Sequence, residues 1–67
     1  MNWEQVKGNW NIMKGKAKQQ WGDLTDDELD RAAGVRDELI GQVQKRYGVA
    51  KDEAERQVDD WANKQSV

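Results

Sequence analysis

The chain contains no cysteine, no histidine and no proline. Without cysteine, no disulfide framework can reinforce a small core. Without histidine, the usual zinc sites and the commonest acid–base residue are gone. Without proline, long stretches are free to be helical. Apolar runs are short as well. None approaches the roughly 20 residues that span a bilayer, and the opening MNWEQVKGNW lacks the apolar middle of a signal peptide. No membrane span and a cytoplasmic location are therefore expected. Reactive sets are missing too. The single serine, Ser66, has no histidine to activate it. The stretch GNWNIMKG (8–15) has neither the ending of a phosphate-binding loop nor a strand before it. Residues 23–30 are acidic but lack the glycine and ligand spacing of a calcium loop. The expectation is a protein that is not an enzyme, with no cofactor and no metal.

What remains is a hydrophilic chain of 67 residues, enough for one domain. Apolar residues make up 36% and charged residues another 36%, and the mean hydropathy is −1.16. The core must be thin, so stability is expected at or below the low end of the ~5–15 kcal/mol range of native domains. Four tryptophans and one tyrosine supply much of the burial such a core needs.

Trp3, Val6, Trp10, Met13, Ala17, Trp21 and Leu24 recur every three or four residues. The spacing predicts one amphipathic helix over about 3–21, with Ile12 off the stripe and exposed. Thr25-Asp26-Asp27-Glu28 reads as a capping box opening a second helix, about 26–33, and Gly22 before it suits a left-handed helix end. Gly34 breaks the pattern. Val35, Leu39, Ile40, Val43 and Tyr47 mark a third helix, about 35–47, ended by Gly48. Ala54, Val58, Trp61 and Ala62 mark a fourth, about 51–63. It has a poor cap at Ala50 and is followed by a loose tail. All six glycines fall in two heptad-spaced triplets, 8/15/22 and 34/41/48. A longer helix, a glycine turn and a shorter helix thus read as written twice. Two crossed αα-hairpins would share a core of Trp10, Trp21, Leu29, Leu39, Val43, Tyr47, Val58 and Trp61.

Acidic clusters at 26–28, 37–38, 52–53 and 59–60 fall at helix starts or on solvent faces, where capping and the helix dipole account for them. Charge is uneven. Residues 1–22 carry a net +3 and residues 23–67 a net −5. Lys7, Lys14 and Lys18 line one margin of the tryptophan stripe, and Lys16 lies near the other. Together with Ile12 and Trp3 they form the candidate contact surface. A basic margin beside aromatic faces suits single-stranded nucleic acid or an anionic membrane surface, and the Ala32–Val35 turn is similar to hairpins that present amides to phosphates. The plainer reading makes the tryptophans core and the lysines solvated flanks.

The strings Gly8-Asn9-Trp10, KGKAKQQWGDLTDDEL (14–29), Gly34 with Arg36-Asp37, GQVQKRYG (41–48), KDEAE (51–55) and Trp61 resemble the CsbD-like family of small bacterial proteins. The resemblance spans residues 3 to 61. It implies a cytoplasmic protein of the general stress response, with a small all-α fold of the SAM-domain-like kind and no catalytic residues. The resulting expectation is a single domain over 1–67, acting as a monomer. It would protect other proteins under stress or contact macromolecules weakly. A nucleic-acid-binding module built on the lysine-rich first helix is the alternative, and a protein-interaction adaptor using Trp3 and Ile12 a second.

Overall fold

Asn2 opens the first helix with a reciprocal cap. Its side chain accepts from the Gln5 amide at 2.9 Å, and the Gln5 side chain accepts from the Asn2 amide at 3.3 Å. The structure, a computed structural model, describes residues 2–65. The helices are α1 (Trp3–Gly8), α2 (Trp10–Gln20), α3 (Asp26–Ala32), α4 (Arg36–Tyr47) and α5 (Lys51–Lys64). The described residues contain no strand. The all-α class is as expected, but five helices stand where four were anticipated.

The extra helix comes from a break in the expected 3–21 element. Asn9 adopts φ −112°, ψ 28°, and its side-chain amide donates to the Gln5 carbonyl at 3.1 Å. Asparagine competes with the helix by bonding the backbone locally, and the neighbouring Gly8 lowers helix propensity further. The apolar stripe survives the break. Val6, Trp10, Met13, Ala17, Trp21 and Leu24 are all buried.

Two glycine expectations separate here. Gly48 ends α4 in the left-handed region at φ 67°. Gly22 does not do the same for α2. That helix stops at Gln20, and Trp21 itself turns the chain at φ −124°, ψ 78°, which carries its indole inward. The Leu24 amide then closes the turn on the Trp21 carbonyl at 3.1 Å. The repeat of longer helix followed by shorter helix also fails in its second half, since α5 has 14 residues against 12 in α4. Its stripe continues through Trp61 and Ala62, both buried, and the helix follows it to Lys64. The expected loose tail begins inside this helix at 63, and its last two positions, 66–67, lie outside the described residues.

Helix α3 begins on the predicted capping box. Thr25 Oγ1 accepts from the Glu28 amide at 3.1 Å and Glu28 Oε1 from the Thr25 amide at 3.0 Å. Thr25→Ala is expected to lower stability by about 1 kcal/mol, seen as a lower urea midpoint with an unchanged slope. At its other end Ala33 is left-handed, φ 52°, and Gly34 follows at φ 79°. A side chain on Gly34 would meet backbone: its Cβ would lie 2.6 Å from Lys7 Cα. The α3–α4 turn therefore rests directly on the end of α1.

Successive helices pack on one another, α2 on α3, α3 on α4 and α4 on α5. Between them lie the rings of Trp21 and Trp61, with centroids 5.4 Å apart and planes tilted by 58°. Two buried indoles find partners: Trp10 donates to the Leu29 carbonyl at 2.9 Å and Trp21 to Gln57 Oε1 at 3.1 Å. Tyr47 is the exception to the expected core. It is 39% exposed, because its hydroxyl sits at the rim and accepts from the Asp23 amide at 3.1 Å. The radius of gyration, 10.6 Å, agrees with the ~11 Å expected of a compact chain this long.

Candidate functional site

The six residues of the expected contact surface do not stay together. Lys7 and Ile12 come together. They line one open groove that crosses the α1–α2 break, with Gly8, Asn9, Trp10 and Asn11 between them. Ile12 is 66% exposed, a large apolar group that lies off the buried stripe. Lys16 is exposed on α2.

Lys14 and Lys18 turn toward the protein. Lys14 Nζ pairs with Asp30 of α3 at 2.7 Å. The hydrogen bond to Asp30 raises the Lys14 pKa above its ordinary value, with Asp26 and Asp27 adding to the attraction. Lys18 Nζ donates to the carbonyls of Gly22 and Leu24, tying down the turn after α2, where a cation suits the dipole.

Trp3 is half-buried rather than exposed. Its ring lies 6.2 Å from that of Trp61, tilted by 43°, and it packs against the core. Asp59, whose carboxyl Trp3 helps to hold down, accepts a two-pronged bond from Arg36 at 2.8 and 2.9 Å. Sequence reasoning treated Asp59 as one of a solvated acidic pair. The geometry makes it the point where α4 is tied to α5. A half-buried carboxylate next to a tryptophan of the core stripe was the available signal.

A third bridge runs from Arg46 to Glu28 at 2.7 Å. The bridges Lys14–Asp30, Glu28–Arg46 and Arg36–Asp59 thus link α2 to α3, α3 to α4 and α4 to α5. Hydrogen bonds from Arg36 hold the Asp59 carboxyl below the usual aspartate range, against the opposing effect of burial. The Thr25 backbone does the same for Glu28, with Arg46 adding to it. Both carboxyls have folded values below their unfolded ones. Their contribution is therefore fully present above the unfolded values and is lost as pH falls through the folded ones. Lys14 behaves oppositely and loses its contribution as pH rises through its elevated value. No side chain has an ordinary titration between about pH 5.5 and 7. The urea midpoint is expected to be flat there and to fall below about pH 4.5, as measured by circular dichroism.

Among the described residues, no three acidic, histidine or cysteine side chains stand close enough to hold a metal ion, and no helix is long and apolar enough to cross a membrane. The remaining acidic clusters lie at helix starts, as at Asp26 and Asp27, or in solvent.

Among the described residues, these features define a small all-helical structure with an aromatic core, a charged exterior and an open groove. Comparison with known proteins gives this class a family. The family model described as CsbD-like matches residues 4–56. The chain is 52% identical over 61 residues to the UPF0337 protein YjbJ of Escherichia coli K12, covering 91% of this chain and 88% of that one. It is 54% identical over 61 residues to a UPF0337 protein of Pectobacterium atrosepticum, with 91% and 88% covered. A UPF0337 protein of Nitrosomonas europaea shares 52% over 63 residues, with 94% and 67% covered. The chain belongs to the CsbD-like family.

Proposed function

We propose that this protein works without catalysis in the bacterial stress response, protecting other cytoplasmic proteins through weak, repeated contact. The observation that supports this most is the exterior: charged residues make up 36% of the chain, and among the described residues none is buried. Such a surface stays hydrated and soluble at high concentration. The groove beside Ile12 adds an apolar foothold. We take the scaffold beneath as two crossed hairpins of the SAM-domain-like kind, with the protein acting as a monomer.

The test is to dry or heat a labile enzyme with this protein and, separately, with an equal mass of an inert protein. Greater recovery of enzyme activity with this protein is expected. Equal recovery overturns the reading. Contact with nucleic acid through Lys7, Lys14, Lys16 and Lys18 competes with it, but two of those ammonium groups already serve Asp30 and the turn carbonyls.

A further inference from the structure

We infer that α1 is a detachable strap, which undocks as a unit while α2–α5 stay folded and so uncovers the face of Trp61. Several observations lead there. Helix α1 has six residues, too few to hold helical form without packing. It is separated from α2 by the non-helical Asn9. Helix α2 has its own start beyond that point, where the amides of Ile12 and Met13 bond the Asn9 carbonyl at 3.0 and 2.9 Å. Undocking α1 therefore leaves the hydrogen bonds of α2 in place.

The contacts that hold α1 down are few and concentrated. Val6 is fully buried, Trp3 lies against Trp61, and the Lys7 backbone rests on Gly34. The Arg36–Asp59 bridge joins α4 to α5 and does not involve α1, so it persists when the strap leaves. Finally, the Trp61 indole N–H is enclosed with no hydrogen-bond partner among the described residues. A buried unpaired donor is costly, and water reaching it in the open form recovers the missing bond.

Opening uncovers an aromatic face suited to the apolar side chains of a partly unfolded polypeptide. That assignment of ligand rests on the protective reading above, whereas the strap itself does not. Two glycines make the test. Gly34 and Gly48 are both left-handed, so alanine strains either backbone. Only at Gly34 does the new Cβ run into α1; at Gly48 nothing lies within 4 Å.

Amide hydrogen exchange is measured on the full chain and on Gly34→Ala and Gly48→Ala. In the wild type, the amides of Val6 and Asn9 are expected to exchange at least ~10-fold faster than those of Ala54 and Val58, with little dependence on dilute urea. Gly34→Ala should accelerate the α1 amides by a further ~10-fold and raise anilinonaphthalene sulfonate fluorescence, with α4 and α5 still protected. Gly48→Ala should do neither selectively. The strap is overturned if the α1 amides exchange only by global unfolding, or if the two variants behave alike. In a third arm, Gly34→Ala is expected to retain more reduced, unfolded α-lactalbumin than wild type does. Equal retention despite an open strap overturns the ligand assignment and leaves the strap standing.

Discussion

Trp21→Ala is expected to leave most of the chain unfolded at 25 °C, with its far-UV helical signal largely lost and its urea transition displaced to the lowest concentrations. Trp21 is 2% exposed. It stacks on Trp61 and donates to Gln57 of α5, so one side chain joins the end of α2 to the last helix. Large aromatic to alanine changes in cores cost about 3–5 kcal/mol. A domain this small and polar is stable by an amount near the low end of ~5–15 kcal/mol. The loss therefore matches most of what holds the fold. Trp21→Phe keeps an aromatic ring at the site but loses the bond to Gln57 and part of the indole's packing, so a smaller shift of the midpoint than for alanine is expected. If Trp21→Ala retains a cooperative transition near the wild-type midpoint, the packing described for Trp21 is wrong.

The second large effect is Leu29→Ala. Helix α3 is seven residues long and buries only Leu29 and Ala32. Its capping box orders its start but supplies no burial. Leucine to alanine at a fully buried site costs about 2–5 kcal/mol, and here nearly all of α3's apolar contact goes with it. The Leu29 carbonyl also accepts from the Trp10 indole, so a displaced α3 leaves that donor unpaired in the core. The expected outcome is loss of exchange protection across 26–32 together with a lower midpoint. Protection of α3 equal to the wild type would mean that the short helix is held by its neighbours rather than by Leu29.

The elements that could be read in advance were those whose signals are local. The Thr25–Glu28 box, the Gly48 turn, the stripe of α5 and Leu39, Ile40 and Val43 of α4 each depend on residues a few positions apart, and they appear where expected, whereas Val35 lies just before α4 and is exposed. The misplaced features depend on choices between near-equal local states or on distant neighbours. Asn9 sits inside a stripe that continues in phase on both sides, so periodicity gave no sign that its side chain would bond the Gln5 carbonyl and break the helix. Tyr47 fits the apolar spacing of α4, but its hydroxyl needs a partner and finds the Asp23 amide 24 residues away. The role of Gly34 was half legible: a break was evident, but the pressure of the Lys7 backbone on it is purely tertiary. On the expected contact surface, Lys14 and Lys18 shared one margin of the stripe with Lys7. Only the placement of Asp30 and of the turn carbonyls separates them.

The three bridges that run in sequence from α2 to α5 respond to drying in the opposite sense from the aromatic core. Removing water takes away the solvent-driven part of apolar association. The same change lets opposite charges attract each other roughly four-fold more strongly as the effective dielectric falls from about 80 to about 20. Lys14 with Asp30, Arg46 with Glu28 and Arg36 with Asp59 then act as clamps that tighten under desiccation. The bundle thus has a reserve of cohesion that grows as the surrounding liquid disappears.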